Sequence, residues 1–330
     1  MYGRLFNTTM QAIERNGGVR EAHIVLPGNN HLGYFAPDGL VDSSRERFAE
    51  FWRTASAHHY QYREGLTPSG IVYPSGTRLI IGGKESIDDQ GRTVIEGGMH
   101  AMDMCEIPFV KESAIQIAKR MPDVSNPRIL IAGAGLNIMT DFLLRQLIAK
   151  GRGTIDIIEL NAKVAKKTRE WIKDKKLRLE QYSRSMPAAK PDIEMNVIDG
   201  DALVVLEQMA RDLESEKDSK TREGKKYTVA VCDTCPFPGE EGKNDLILLN
   251  SIVRLMHPEG VWSPCLYTPD AEKHLFDYQV SYIHRYFKEL HTDSVPVIAV
   301  PGYAYLDSPR EKGFEIVEYP IAVARIPKAA

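Results

Sequence analysis

The stretch from Pro127 to Asn161 constrains the fold of this 330-residue chain more than any other part of it. It begins with a short apolar run, Ile129–Ile131, which is typical of a parallel strand buried on both faces. A glycine-rich turn and a segment with apolar residues at helical spacing follow. A second apolar run, Ile155–Ile158, ends at Glu159. The pattern predicts a strand–turn–helix–strand unit, the repeating element of a parallel α/β sheet.

The turn and Glu159 together predict a nucleoside site. Glycine lets a ligand approach the backbone closely, and the helix behind the turn offers free N–H groups. An acid at the tip of the second strand can accept both hydroxyls of a ribose. The third glycine of the dinucleotide pattern is missing, because Leu136 and Asn137 follow Gly135. We therefore expect S-adenosyl-L-methionine, which carries no phosphate, and the structural alternative is an ordinary tight turn.

Composition narrows the class of protein. The chain has 43% hydrophobic and 26% charged residues and a formal charge of -3, so we expect a small-molecule substrate rather than a nucleic acid. No apolar run approaches the roughly 20 residues of a membrane span, and we expect a cytoplasmic protein without a membrane partner. Cys232 and Cys235 form a C-x-x-C, but no further Cys or His pair completes a zinc site, so no metal is expected.

The rest of the chain extends this unit into a full α/β fold. Further strands are predicted at Ile193–Ile198, Tyr227–Cys232 and Val261–Leu266, with an antiparallel closing pair at Val295–Val300 and Glu315–Arg325. The predicted class is a Rossmann-like, mostly parallel sheet flanked by helices, with an N-terminal helical and hairpin extension. We place that extension, a lid or dimerisation segment, at residues 1–75 and the main domain at residues 76–330.

Two shorter patterns complete the organisation of the chain. Strand-like runs at Arg78–Ile81 and Arg92–Ile95 are separated by the turn signal Asp88–Gly91, which predicts a hairpin. The segment Tyr278–Leu290 is predicted to be a helix.

Acidic residues follow several of the predicted strands, where ligands of open α/β sheets lie. Asp201 and Ala202 follow the third strand, and an acid next to a small residue suits an adenine amine and its ring. Asp233 stands at the carboxyl end of the fourth strand. Glu106 lies in the entry turn of the predicted helix that leads directly into the first strand.

From about Thr77 onward the chain resembles guanidinoacetate methyltransferase, a family of class I S-adenosylmethionine-dependent enzymes. The resemblance rests on the motifs Met104–Phe109, Gly133–Leu136, Ile158–Asn161 and Cys232–Pro236, and on the run that begins at Leu255. It implies a methyltransferase with a cofactor site made of Gly133, Ala134, Gly135, Glu159, Leu160, Asp201, Ala202 and Asp233. A homodimer formed through the N-terminal extension is a further expectation.

The resemblance also implies that Glu106 and Asp233 bind the guanidinium of the substrate. A guanidinium is a planar cation with five N–H donors, so two converging carboxylates suit it. Asp233 is the expected proton acceptor and orienting group, and Glu106 the second clamp. Cys232 and Cys235 replace aromatic residues of the family, which leaves the acceptor open between arginine and other guanidino compounds.

Three alternatives remain open at the level of sequence. One keeps the methyltransferase fold but changes the acceptor to an amine, an amino acid or an indole. Another is aminopropyl transfer of the spermidine synthase type, which uses the same fold and a strand-end aspartate. The non-enzymatic alternative is a cofactor-binding regulator whose N-terminal aromatic face binds a partner.

Overall fold

A computed structural model gives the fold of the protein. It describes residues 22–25, 66–67, 70–71, 78–81, 84–87, 93–96, 99–103, 107–135, 137–185, 191–232, 243–264, 280–299 and 315–327. The chain divides into two compact units, one of residues 1–110 with 294–319 and the other of residues 111–293 with 320–330. The predicted boundary at residue 75 stays a prediction.

The first unit contains short antiparallel strands. They are β1 Ala22–Val25, β2 Leu66–Thr67, β3 Gly70–Ile71, β4 Arg78–Ile81, β5 Lys84–Ile87, β6 Thr93–Glu96 and β7 Met99–Asp103. β4 lies between β1 and β7, whereas β5 and β6 pair with each other. The predicted hairpin between Arg78–Ile81 and Arg92–Ile95 was therefore wrong in its first strand. The adjacent segment Lys84–Ile87, with fewer apolar residues, is the one that pairs across the turn.

The helices and strands that follow alternate, as the sequence predicts. In chain order they are α1 Ile107–Arg120, β8 Arg128–Ala132, α2 Ile138–Lys150, β9 Arg152–Glu159, α3 Ala162–Ser185, β10 Asp192–Asp199, α4 Ala202–Ser215, α5 Ser219–Gly224, β11 Tyr227–Cys232, α6 Lys243–Leu255, β12 Met256–Ser263, β13 Phe287–Ala299 and β14 Glu315–Pro327. Residues 280–286 are also helical. The predicted helix Tyr278–Leu290 thus gives way to β13 at Phe287.

Seven of these strands form one sheet in the order β10-β9-β8-β11-β12-β14-β13. β10, β9, β8, β11 and β12 pair in parallel, and β14 is antiparallel to β12. The order reverses between β8 and β11, which is where open α/β sheets bind ligands at the carboxyl ends of their strands. The predicted α/β class is confirmed: the sheet is Rossmann-like and mostly parallel, and helices flank it.

Helices cover both faces of the sheet. On one face, α4 and α6 pack on alternate residues of the strands and form a buried cluster that includes Leu130, Ala230, Leu206 and Ile252. On the other face, α2 lies over β9, where Leu147 packs against Gly153. β8 and β11 are buried almost throughout, because each carries apolar side chains to both layers. These central strands are a rigid support for the turns that follow them.

Candidate functional site

The carboxyl ends of β8, β9 and β10 meet at one edge of the sheet. The three strands are parallel neighbours, and backbone hydrogen bonds continue between the turns that follow them. The N–H of Gly133 donates to the carbonyl of Ile158 at 2.9 Å, and the N–H of Gly200 donates to the carbonyl of Glu159 at 3.0 Å. The structure therefore brings together the predicted turn, the acid of β9 and the residues after β10.

The turn after β8 needs its glycines for conformation. Gly133 and Gly135 have φ angles of 89° and 50°, which residues with a side chain rarely adopt. Between them Ala134 is buried, and its carbonyl accepts a hydrogen bond of 2.8 Å from the N–H of Asn137. The turn is thus a closed backbone loop immediately before α2, as the sequence predicts.

Glu159 joins the turn to the end of β9 through its carboxylate. One oxygen accepts the N–H of Ala134 at 2.9 Å, and the other accepts the N–H of Asn161 at 2.7 Å. Burial raises the pKa of the Glu159 carboxyl above its usual range, and the hydrogen bonds from backbone N–H groups oppose that rise. The carboxylate is thus held by backbone N–H groups at the end of β9, where a ligand of an open α/β sheet lies.

The remaining predicted cofactor residues differ in exposure. Leu160 follows Glu159 and is 46% exposed, which is unusual for a leucine beside a buried strand and leaves an apolar surface next to the carboxylate. Asp201 caps α4, because its Oδ1 accepts the N–H of Leu203 at 2.9 Å. Asp201 and Ala202 are both half-buried. The capping role alone accounts for an acid at position 201, so its adenine contact stays a prediction.

The start of α2 carries a paired acid. Asn137 precedes the helix and makes no side-chain capping bond, and the first turn contains Asp141. Asp141 forms ion pairs with Lys175 of α3 and with Arg145, the latter at 2.6 Å. Because these two cations offset its charge, the start of α2 does not by itself distinguish a nucleoside from a pyrophosphate.

Three predicted positions lie outside the described residues: Glu106, Leu136 and Asp233. Their described neighbours in the chain are Ile107, which begins α1, and Cys232, which ends β11. Cys232 is buried, and its sulfur lies 3.4 Å from the indole nitrogen of Trp262 on β12. Within the part of the chain that the structure describes, Cys232 therefore occupies a core position beneath the edge.

Sequence reasoning missed one contact at this edge. The side-chain amide of Asn137 donates to the hydroxyl of Thr168 on α3 at 3.2 Å, and both residues are buried. Asn137 has φ 61° and ψ 21°, a left-handed conformation. The available signal was its position two residues after Gly135, since asparagine tolerates this conformation better than most residues with a side chain.

Among the residues that the structure describes, no group of three or more His, Cys, Asp or Glu side chains could hold a metal ion. None of the described helices combines the length and the apolar character that a membrane crossing requires.

Comparisons with known proteins show similarity at the level of solved structures only. No protein-family model matches the chain, and a search of curated proteins finds no match. A spermidine synthase from Thermotoga maritima is 11% identical with a TM-score of 0.44, covering 75% of this chain and 68% of its own. A spermidine synthase in complex with the transition-state analogue AdoDATO is 12% identical with a TM-score of 0.46, covering 79% and 78%.

A third similar structure is an O-methyltransferase from Bacillus cereus in complex with SAH. It is 13% identical with a TM-score of 0.36, covering 86% of this chain and 92% of its own. TM-scores below 0.5 transfer neither a substrate nor a reaction to this protein, so its chemistry has to be argued from its own residues.

Proposed function

We propose that this protein is an S-adenosylmethionine-dependent N-methyltransferase that acts on a guanidino small molecule such as arginine. The observation that supports the cofactor most directly is the Glu159 carboxylate, fixed by the amides of Ala134 and Asn161 where β8 and β9 end. A fixed acceptor at this position suits the two hydroxyls of a ribose. The half-exposed Leu160 beside it suits the apolar face of an adenine.

The residues that would hold the cofactor are those predicted from the sequence. They are Gly133, Ala134, Gly135, Glu159, Leu160, Asp201, Ala202 and Asp233. When bound, S-adenosylmethionine supplies an electrophilic methyl group on a sulfonium. The absence of the third glycine of the dinucleotide pattern supports this choice over a cofactor that carries a pyrophosphate.

The guanidino acceptor is supported by the chemistry of Glu106 and Asp233. Asp233 follows the last residue of β11, the strand next to β8, and Glu106 precedes the first residue of α1. Two carboxylates can engage a guanidinium through charge-assisted hydrogen bonds and fix its plane. Replacing one of the two carboxylates would leave the substrate guanidinium with a single charged partner.

The reaction requires a proton acceptor as well as a clamp. A guanidinium is a poor nucleophile while it is protonated, and its high pKa keeps it protonated near neutral pH. In the proposed step, a nitrogen–carbon bond forms as the carbon–sulfur bond breaks, and the proton of the attacking nitrogen passes to Asp233. Alignment of the nitrogen with the methyl group contributes much of the acceleration in such a site. The products are the methylated guanidino compound and S-adenosylhomocysteine.

The test is a methylation assay with a panel of acceptors. Purified protein is incubated with S-adenosylmethionine and arginine, guanidinoacetate, agmatine, tryptophan derivatives or putrescine, and products are analysed by mass. We expect a methyl increment on a guanidino compound. Asp233→Asn should lower turnover by about 100-fold or more, as expected for loss of a general base. Glu106→Gln should raise KM by about tenfold, as expected for loss of one charged hydrogen bond.

Asp199→Asn is the matched control for both variants. Asp199 ends β10 at the same edge, but its carboxylate is exposed and pairs with Arg169 at 2.6 Å. We expect this variant to keep the wild-type turnover and KM. Methylation of an indole or an amine alone, unaffected by Glu106→Gln, would contradict the guanidino acceptor and leave a methyltransferase with a different substrate.

A further inference from the structure

The hydrogen bond between Asn137 and Thr168 closes a ring around the Glu159 carboxylate. Asn137 binds the carbonyl of Ala134 through its backbone N–H and the hydroxyl of Thr168 through its side chain. Thr168 lies on α3, whose first turn is capped by Asn161. Asn161 and Ala134 in turn donate to the two oxygens of Glu159. The ring therefore runs from the glycine turn through α3 and back to the carboxylate.

Asn137 makes its hydrogen bond from a left-handed conformation that glycine adopts more readily. The Oδ1 of Asn137 is buried without a hydrogen-bond partner in the described structure, which is unfavourable for a polar atom. Glycine would avoid both features, and an outlier of this kind points to a role in a site.

We propose that Asn137 and Thr168 are positioning residues that fix the glycine turn relative to Glu159, so that the carboxylate is preorganised for a nucleoside. Asn137 has a backbone conformation that glycine adopts readily, and its side chain adds a fixed link to α3. The link contacts neither the ligand nor the reacting atoms. This inference rests on the proposed function for the identity of the ligand, but not for the link itself.

The first measurement uses the ligand-free protein. Amide hydrogen exchange of the turn, read on a peptide that covers residues 128–142, reports how firmly the amides of Gly133, Ala134 and Asn137 are held. We expect Thr168→Val, which removes the hydroxyl and keeps the shape, to speed this exchange about tenfold. Thr168→Ser keeps the hydroxyl and should restore wild-type exchange.

The second measurement is cofactor affinity by calorimetry with S-adenosylhomocysteine. We expect Thr168→Val to raise Kd about tenfold and Thr168→Ser to leave it within about twofold. Asn137→Gly keeps the backbone conformation but loses the link, so it should raise Kd by a similar factor. Both variants break the same hydrogen bond, so Asn137→Gly combined with Thr168→Val should have a Kd no higher than that of either single variant.

Thr228→Val is the matched control. Thr228 is buried on β11, and its hydroxyl bonds the backbone N–H and carbonyl of Arg128 at the opposite end of the strands. This variant should lose stability but keep turn exchange and Kd at wild-type values. Equal effects of Thr168→Val and Thr228→Val on Kd and exchange would overturn the proposal. If the wild-type protein binds no S-adenosylhomocysteine, the proposed function fails, and the exchange measurement still decides the link.

Discussion

Two acids on β9, Asp156 and Glu159, differ in the partners that bind their carboxylates. Asp156 lies in the middle of β9 and is buried, and its carboxylate accepts bonds from Arg128, Tyr227 and Asn196 at 2.6–2.9 Å. Glu159 lies at the tip of the strand and is bound only by backbone N–H groups among the described contacts. Asp156 is therefore bound by side chains inside the sheet, whereas Glu159 is held by backbone N–H groups at the edge where the ligand is proposed to bind.

This difference leads to a prediction about pH. The raised pKa of Glu159 means that its carboxylate, the proposed acceptor of the ribose hydroxyls, is protonated on acidification at a higher pH than an ordinary glutamate. We expect the Kd for S-adenosylhomocysteine to rise as pH falls through this raised pKa. Glu159→Gln should weaken binding about 10- to 100-fold and remove the pH dependence, because an amide does not titrate. Calorimetry across an acidic pH series measures both effects.

The stability of the ligand-free protein should respond in the opposite direction. Between the ordinary glutamate pKa of about 4.3 and its raised value, the folded state binds more protons at Glu159 than the unfolded state does. This contribution to stability is present below that interval and is lost as pH rises through it. Asp156→Asn is the control, since it should lower stability without changing the pH dependence of Kd. Binding that is independent of pH in the wild type would contradict the role of Glu159.

At the scale of elements, the second residue of β9 has to be glycine for two reasons: its backbone conformation and the lack of space for a side chain. Gly153 has φ 148°, and a Cβ at this position would lie 2.9 Å from the carbonyl of Pro127 and 2.8 Å from Leu147. That carbonyl already accepts the N–H of Thr154 at 3.0 Å, which ties β9 to the chain before β8. We expect Gly153→Ala to lower the free energy of unfolding by about 2 kcal/mol, because backbone has to move.

Two other glycines serve as controls for this prediction. Gly151 has φ 78° but open space around a Cβ, so Gly151→Ala should cost about 1 kcal/mol from conformation alone. Gly224 has open space and no left-handed φ, so Gly224→Ala should be neutral or stabilise by up to about 1 kcal/mol. Urea unfolding followed by circular dichroism gives the three values. An unchanged stability in Gly153→Ala would contradict the predicted clash.

The elements also show what the sequence can and cannot predict. Tyr227–Cys232 was predicted with its observed bounds, because six buried residues stand between a charged segment and a turn signal. β12 was predicted to start at Val261 but starts at Met256. His257–Gly260 reads as a turn, and the structure extends the strand through it with a register shift against β11. A register shift depends on the neighbouring strand, and local sequence carries no information about it.

The same distinction applies to the candidate site. The turn and Glu159 were predictable, because strand ends and glycines follow local patterns. The link from Asn137 to Thr168 was not, because the two residues are 31 positions apart and neither spacing nor composition marks the pair. The capping role of Asp201 was local but was obscured by its position at a strand end, where a ligand role was also expected.

At the scale of the whole molecule, the proposed cofactor site leaves two kinds of transfer to be separated by experiment. Methyl transfer uses S-adenosylmethionine, and aminopropyl transfer uses its decarboxylated form. The ribose and adenine are common to both, so Glu159 and Leu160 do not distinguish them. The discriminating feature is the cofactor carboxylate, which a methyltransferase binds and an aminopropyltransferase excludes.

Thermal unfolding with each cofactor separates the two. A ligand at 100 times its Kd stabilises the folded state by about 2.7 kcal/mol, which corresponds to a rise in Tm on the order of 5 °C. We expect S-adenosylmethionine and S-adenosylhomocysteine to raise Tm by this amount and decarboxylated S-adenosylmethionine to raise it less at equal concentration. The transition that responds reports on the unit of residues 111–293 and 320–330, which contains Glu159. Glu159→Gln should reduce the shift for all three ligands by about half or more, because the ribose acceptor is common to them and Kd rises about 10- to 100-fold. A larger rise in Tm with decarboxylated S-adenosylmethionine would contradict methyl transfer and favour aminopropyl transfer. Only an aminopropyltransferase is expected to prefer the cofactor that lacks the carboxylate.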